Sequence, residues 1–153
     1  MPKVPKLDTT PAVPNEMQQI KISSQSVGNL EGALQTIKKM LDESGISDVM
    51  INNCKNIFLE KDGQIYRAPF TFSSDELVLQ TAYALISAAG KDYVAEESFV
   101  VDGMLPEGHR LTVVLPPASL GSATINIRRF QRKAFSLDKM VESGLVTQRL
   151  ERF

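Results

Sequence analysis

Between Leu105 and Phe130 the sequence leaves the chain few ways to fold. His109–Leu115 is apolar and β-branched, and in Ser122–Phe130 the apolar Ala123, Ile125 and Ile127 alternate with Thr124, Asn126 and Arg128. A period of two fits a strand buried on one face. Pro116-Pro117 and Gly121 stop one strand and restart the next, because proline cannot donate to a sheet ladder. Pro106-Glu107-Gly108 ahead of them reads as a tight turn. The stretch is thus two strands joined by a long turn. Arg110 stands just after the tight turn, and Arg128 opens the basic run Arg128-Arg129-Phe130-Gln131-Arg132-Lys133.

Residues 1–27 hold four prolines and few large apolar side chains, the composition of a disordered tether. Residues 28–45 hold a helix, Asn29–Glu43. Asn29 caps it, Gly45 ends it, and Leu30, Ala33, Leu34, Ile37, Met40 and Leu41 fall on one stripe. That stripe can cover its own domain or a neighbouring subunit. Three short strands follow at Asp48–Asn52, Asn56–Glu60 and Gln64–Arg67, with Lys61-Asp62-Gly63 as a hairpin turn. Ser73 or Ser74 caps a second helix that runs to about Ala89, with Asp75 and Glu76 in its first turn. Phe99–Leu105 supplies another strand. After Lys133, Ser136–Gly144 carries the signals of a short helix. The fold class is α+β: an antiparallel sheet of about six strands with helices on one face, PAS-like, over residues 46–130.

At 153 residues the chain is one domain, or one domain with appendages. No apolar run is long enough to span a bilayer, and the start lacks the apolar core of a signal peptide. A single cysteine, Cys54, excludes an internal disulfide and fits a reducing compartment. One histidine and one cysteine cannot build a zinc site of the usual kind. Charge is uneven. Residues 1–104 carry 9 basic against 14 acidic side chains, and residues 105–153 carry 8 against 4. A basic end suits a local anionic partner or a solvated segment.

No phosphate loop of the form G-x-x-x-x-G-K-[ST] is present, nor G-x-G-x-x-G. His109, alone in a turn, reads as solvent-exposed, and Cys54 has no activating neighbour in sequence. Glu96-Glu97 reads as a solvated loop. The arginines carry the chemistry. A guanidinium is always charged and offers a fork that matches phosphate oxygens. Two of them on neighbouring strands of a stiff hairpin can clamp one polyphosphate, or pair with Asp102 or Glu97, or stay solvated.

The order of motifs is similar to a known family. Ser47-Asp48-Val49-Met50-Ile51-Asn52-Asn53 and Ile57-Phe58-Leu59-Glu60-Lys61-Asp62-Gly63-Gln64-Ile65 resemble the opening "S-D-I-M-V-N … V-(Y/F)-V-E-x-x-G-x-L" of type II and type IV secretion ATPases. The likeness is greatest to the CpaF-like branch of Tad/Flp pilus assembly. Glu97 to Leu111 resembles "E-S-S-P-M-V-D-A-R-L-P-D-G-S-R-V", and Thr124–Phe130 resembles "L-T-I-R-(R/K)-F". The match covers roughly residues 46–147.

The resemblance implies the N-terminal domain of a hexameric cytoplasmic ATPase peripheral to the inner membrane. Residues 131–153 would then lead to a RecA-like domain that holds the phosphate loop, ATP and magnesium. Implied partners are that domain, further copies in a homohexamer, and inner-membrane secretion or pilus platform proteins; nucleic acid is not expected. The positions that match the family's nucleotide-contacting arginines are Arg110 and Arg128, with Arg129 beside the latter. This sequence departs from the pattern at Met104, where the family has arginine, at Ser98-Phe99, and at Lys91-Asp92 in place of a basic pair. The alternative is a stand-alone PAS-like interaction or ligand-sensing module.

Overall fold

The computed structural model describes residues 26–91 and 98–130. In chain order the elements are β1 (Ser26–Val27), α1 (Leu30–Asp42), β2 (Ile46–Ile51), β3 (Ile57–Lys61), β4 (Gln64–Arg67), β5 (Thr71–Phe72), α2 (Asp75–Ala88), β6 (Val100–Met104), β7 (Arg110–Val114) and β8 (Thr124–Arg128). Six strands form one sheet in the order β4-β3-β2-β8-β7-β6, with every neighbouring pair antiparallel. This is the α+β sheet expected from the alternation.

The helices begin where their caps place them. The Asn29 side chain accepts from the Gly32 N–H at 2.7 Å, and Ser74 Oγ accepts from the Leu77 N–H at 3.2 Å. Each satisfies a donor that the first helical turn leaves unpaired. Ala33, Ile37, Met40 and Leu41 of α1 join Leu77, Val78, Ala82, Leu85 and Ile86 of α2 in the core. They cover the sheet face formed by Val49, Ile51, Ile57, Leu59, Leu111, Val113, Ile125 and Ile127, all at most 1% exposed. The helices therefore lie on one face, and the Arg128–Arg110 face is left without them.

Strand β2 does not alternate evenly. Ile46 pairs with Lys61 and Asp48 with Glu60, so a bulge at Ser47 interrupts the register. The extra residue resets the phase of the strand. Ile46 reaches the core at 1% exposure, while Asp48, two residues on, turns to the opposite face. The β3–β4 turn is read correctly from Asp62-Gly63. Their φ values of 51° and 79° are the paired left-handed conformations of a two-residue hairpin.

Two readings need correction. Ser26 and Val27, assigned to the tether, form β1, which pairs in parallel with Thr71 and Phe72 of β5. Two-residue strands are too short to show a period, and backbone bonds such as Ser73 N–H to Val27 O at 2.9 Å hold this segment instead. The predicted strand Asp48–Asn52 also begins earlier, at Ile46, because the bulge hides its phase. The helix expected at 136–144 and the rest of the tether lie outside the described residues.

Gly103 of β6 sits under the end of α2, where an added Cβ would stand 2.9 Å from the Ala89 Cβ. Gly103→Ala is expected to destabilise the fold by about 1–3 kcal/mol through overpacking. Gly28→Ala, with open space around it, should stay within about 0.5 kcal/mol of the parent. Urea unfolding of the two variants measures the contrast.

Candidate functional site

The register sets the site. Arg110 on β7 pairs directly with Arg128 on β8, and Arg128 in turn pairs with Asp48 on β2. Directly opposed residues on antiparallel strands share a face. With Glu60 opposite Asp48 and Met104 opposite Arg110, one row crosses five strands: Glu60, Asp48, Arg128, Arg110, Met104. Ser47, Gly108, Arg129 and Phe130 complete the lining of an open groove of about 470 Å³ along this row.

Two like charges directly opposed repel, so each arginine needs relief. The Arg128 Nε lies 3.2 Å from Asp48 Oδ1, and Arg110 Nη2 lies 3.8 Å from Asp102 Oδ1. Asp102 thus pairs with an arginine, one of the alternatives open in the sequence. It also accepts from the Thr112 hydroxyl. Both arginine side chains remain about 70% exposed. Their guanidinium groups face the groove while still paired.

Arg129 is held differently. Its Nη1 donates to the Glu43 carbonyl at 2.6 Å and reaches the Ile46 carbonyl at 3.4 Å, and its backbone N–H donates to Ser47 O at 2.7 Å. These contacts tie the end of β8 to the α1–β2 turn and to the bulge. Arg129 thereby stabilises the backbone that carries Asp48. His109, read as a solvent-exposed turn residue, is half-buried, and its Nδ1 accepts the Phe130 N–H at 3.0 Å. The bond joins the Pro106–Gly108 turn to the end of β8, a long-range contact that the local sequence does not encode. Asp48 was missed as a site residue. The only signal available was its position in the Ser47-Asp48 motif.

Among the described residues no group of three or more His, Cys, Asp or Glu side chains could hold a metal ion, and no helix is long and apolar enough to cross a membrane. Glu96-Glu97 lies outside the described residues.

No known family profile matches the sequence. Individual proteins do. The chain is 31% identical over 137 residues to the probable conjugal transfer protein TrbB of Sinorhizobium fredii, covering 86% of this chain and 40% of that protein. It is 23% identical over 128 residues to the type IV secretion system protein VirB11 of Bartonella quintana, covering 82% and 35%. Its fold is similar to that of the VirB11 ATPase from the Brucella suis type IV secretion system, solved in complex with sulphate. The TM-score is 0.61 at 22% identity, over 78% of this chain and 37% of that one. The chain corresponds to the N-terminal domain of a secretion ATPase, as the motif order implied. It is a homologue of the TrbB and VirB11 proteins and spans about two fifths of the length of these curated relatives.

The surroundings of Cys54 do not activate its thiol. Burial pushes its thiol above the ordinary value, and the neighbouring Asp75 carboxylate pushes it further by hydrogen bonding and charge. A raised thiol holds little thiolate at neutral pH, and the thiolate is the nucleophile. Alkylation by iodoacetamide should be slower at neutral pH than that of a free cysteine, and should accelerate only as pH rises past the ordinary thiol range. A rate equal to free cysteine at neutral pH would contradict this.

Proposed function

We propose that this chain is the nucleotide-facing N-terminal domain of a type IV secretion or conjugal-transfer ATPase, in which Arg110 and Arg128 bind the phosphates of ATP held by a RecA-like domain. One observation carries the reading. The two arginines are cross-strand partners on the sheet face that no helix covers among the described residues, largely exposed and lining one groove. Guanidinium groups so placed can offer several N–H donors to one polyphosphate. Fixed cations at this position would also favour the charge that develops on a transferring phosphoryl group. Arg129 supports the strand and leaves the phosphate contacts to the other two.

On this reading residues 131–153 lead towards the RecA-like domain, which supplies the phosphate loop and magnesium. The domain would work in a homohexamer at the inner-membrane platform of its secretion system. The identified relatives TrbB and VirB11 favour conjugation and type IV secretion over the CpaF-like pilus branch, which rests on motif likeness alone.

The test is ATP binding and hydrolysis by the full-length protein carrying Arg110→Ala, Arg128→Ala or both. Loss of one charge-assisted contact typically removes about 1.5–3 kcal/mol, so each single change should weaken ATP at least about tenfold. Unchanged affinity together with unchanged hydrolysis in the double variant would overturn the assignment.

A further inference from the structure

Arg110 and Arg128 face the same groove but are not held alike. The carboxylate of Asp102 beside Arg110 is 56% exposed and 3.8 Å away, and it also takes the Thr112 hydroxyl. An exposed, solvent-screened contact of that length fixes little. Asp48 beside Arg128 is only 6% exposed. Among the described residues its buried Oδ2 has no hydrogen-bond partner, and Arg128 is the cation paired with the carboxylate. A buried carboxylate left half-satisfied depends on its one cationic neighbour to offset desolvation. Arg128 is that neighbour, and the contact runs through Nε, the inner nitrogen of the guanidinium.

We propose that Asp48 is a positioning residue: its buried carboxylate holds Arg128 at Nε and so presents the two terminal amino groups of that arginine to a polyphosphate, while Arg110 is the adaptable arm. This rests on the phosphate-binding reading given above. Fixing the side chain before the ligand arrives removes part of the ordering cost of binding. The bulge at Ser47 makes the arrangement possible, since it turns Asp48 to the arginine face without taking Ile46 out of the core. Arg129 braces the same bulge.

The proposal predicts a sign that simple electrostatics does not. Asp48 and Glu60 are carboxylates on the lining of a groove that would receive an anion. If Asp48 only lowered the local positive charge, Asp48→Asn would strengthen tripolyphosphate binding. As a positioning residue, its replacement weakens binding by roughly tenfold, the loss of one charge-assisted contact. Arg128→Ala, costly in the parent, should then cost little in the Asp48→Asn background.

Calorimetric titration of sodium tripolyphosphate into the 153-residue chain and its Asp48→Asn, Arg128→Ala and doubly substituted variants measures both. In the ligand-free protein, the Arg128 Nε–H resonance should be protected from exchange and should lose that protection in Asp48→Asn. Equal or tighter binding by Asp48→Asn, an undiminished Arg128 penalty, or an Nε–H that exchanges freely in the parent would each overturn the proposal. If Arg110→Ala and Arg128→Ala leave tripolyphosphate binding unchanged in the parent, the phosphate-binding reading itself fails. If they weaken it without coupling to Asp48, only the positioning role falls.

Discussion

The brace from Arg129 to the backbone around the Ser47 bulge is what the working face depends on. A guanidinium on the carbonyls of Glu43 and Ile46, together with a backbone bond to Ser47, fixes where α1 ends and where β2 changes phase. That phase change sends Ile46 into the apolar layer and Asp48 to the other side. Without it, the period of two would force both residues onto one face. Either an isoleucine would leave the core or a carboxylate would enter it. The irregularity thus lets Ile46 join the helix-covered face while Asp48 stands with Arg128 and Arg110 on the other.

Much of the fold was legible because it obeys local rules. Alternation around Ile125 and Ile127, the proline stop after Leu115, the Asp62-Gly63 turn and the caps Asn29 and Ser74 each have a mechanism that acts over a few residues. What escaped was set at a distance. β1 and β5 find one another across more than forty residues and are too short to carry a pattern. His109 looked free because its partner, the Phe130 N–H, lies twenty-one positions on.

The site was legible by half. Spacing placed Arg110 and Arg128 on neighbouring strands, and the register makes them direct partners. The sequence also offered Asp102 as a counter-ion, and it is one, though exposed and distant. The tighter counter-ion, Asp48, was invisible. Its burial depends on the bulge and on the adjacency of β2 and β8, which are separated by about half of the chain. A strand read as Asp48–Asn52 carries no sign that its first side chain is sealed beneath an arginine on β8.

That sealed carboxylate is costly. Arg128 is 69% exposed, so only the carboxylate of the pair is buried, and a solvent-screened contact of this kind is poor evidence of a need for stability. Here the apolar layer on the other face is complete without it, with Val49, Ile127 and Leu111 fully buried beneath the row. Two arginines set directly opposite one another add repulsion that the sheet does not require. Both features oppose folding slightly, and both concern the same face of the same three strands. The economical account is that they orient charge towards something outside the chain. On the proposed phosphate-binding role the load divides by how each arginine is held: a guanidinium anchored at its inner nitrogen keeps its outer nitrogens aimed, and its neighbour, loosely paired, adjusts to what arrives.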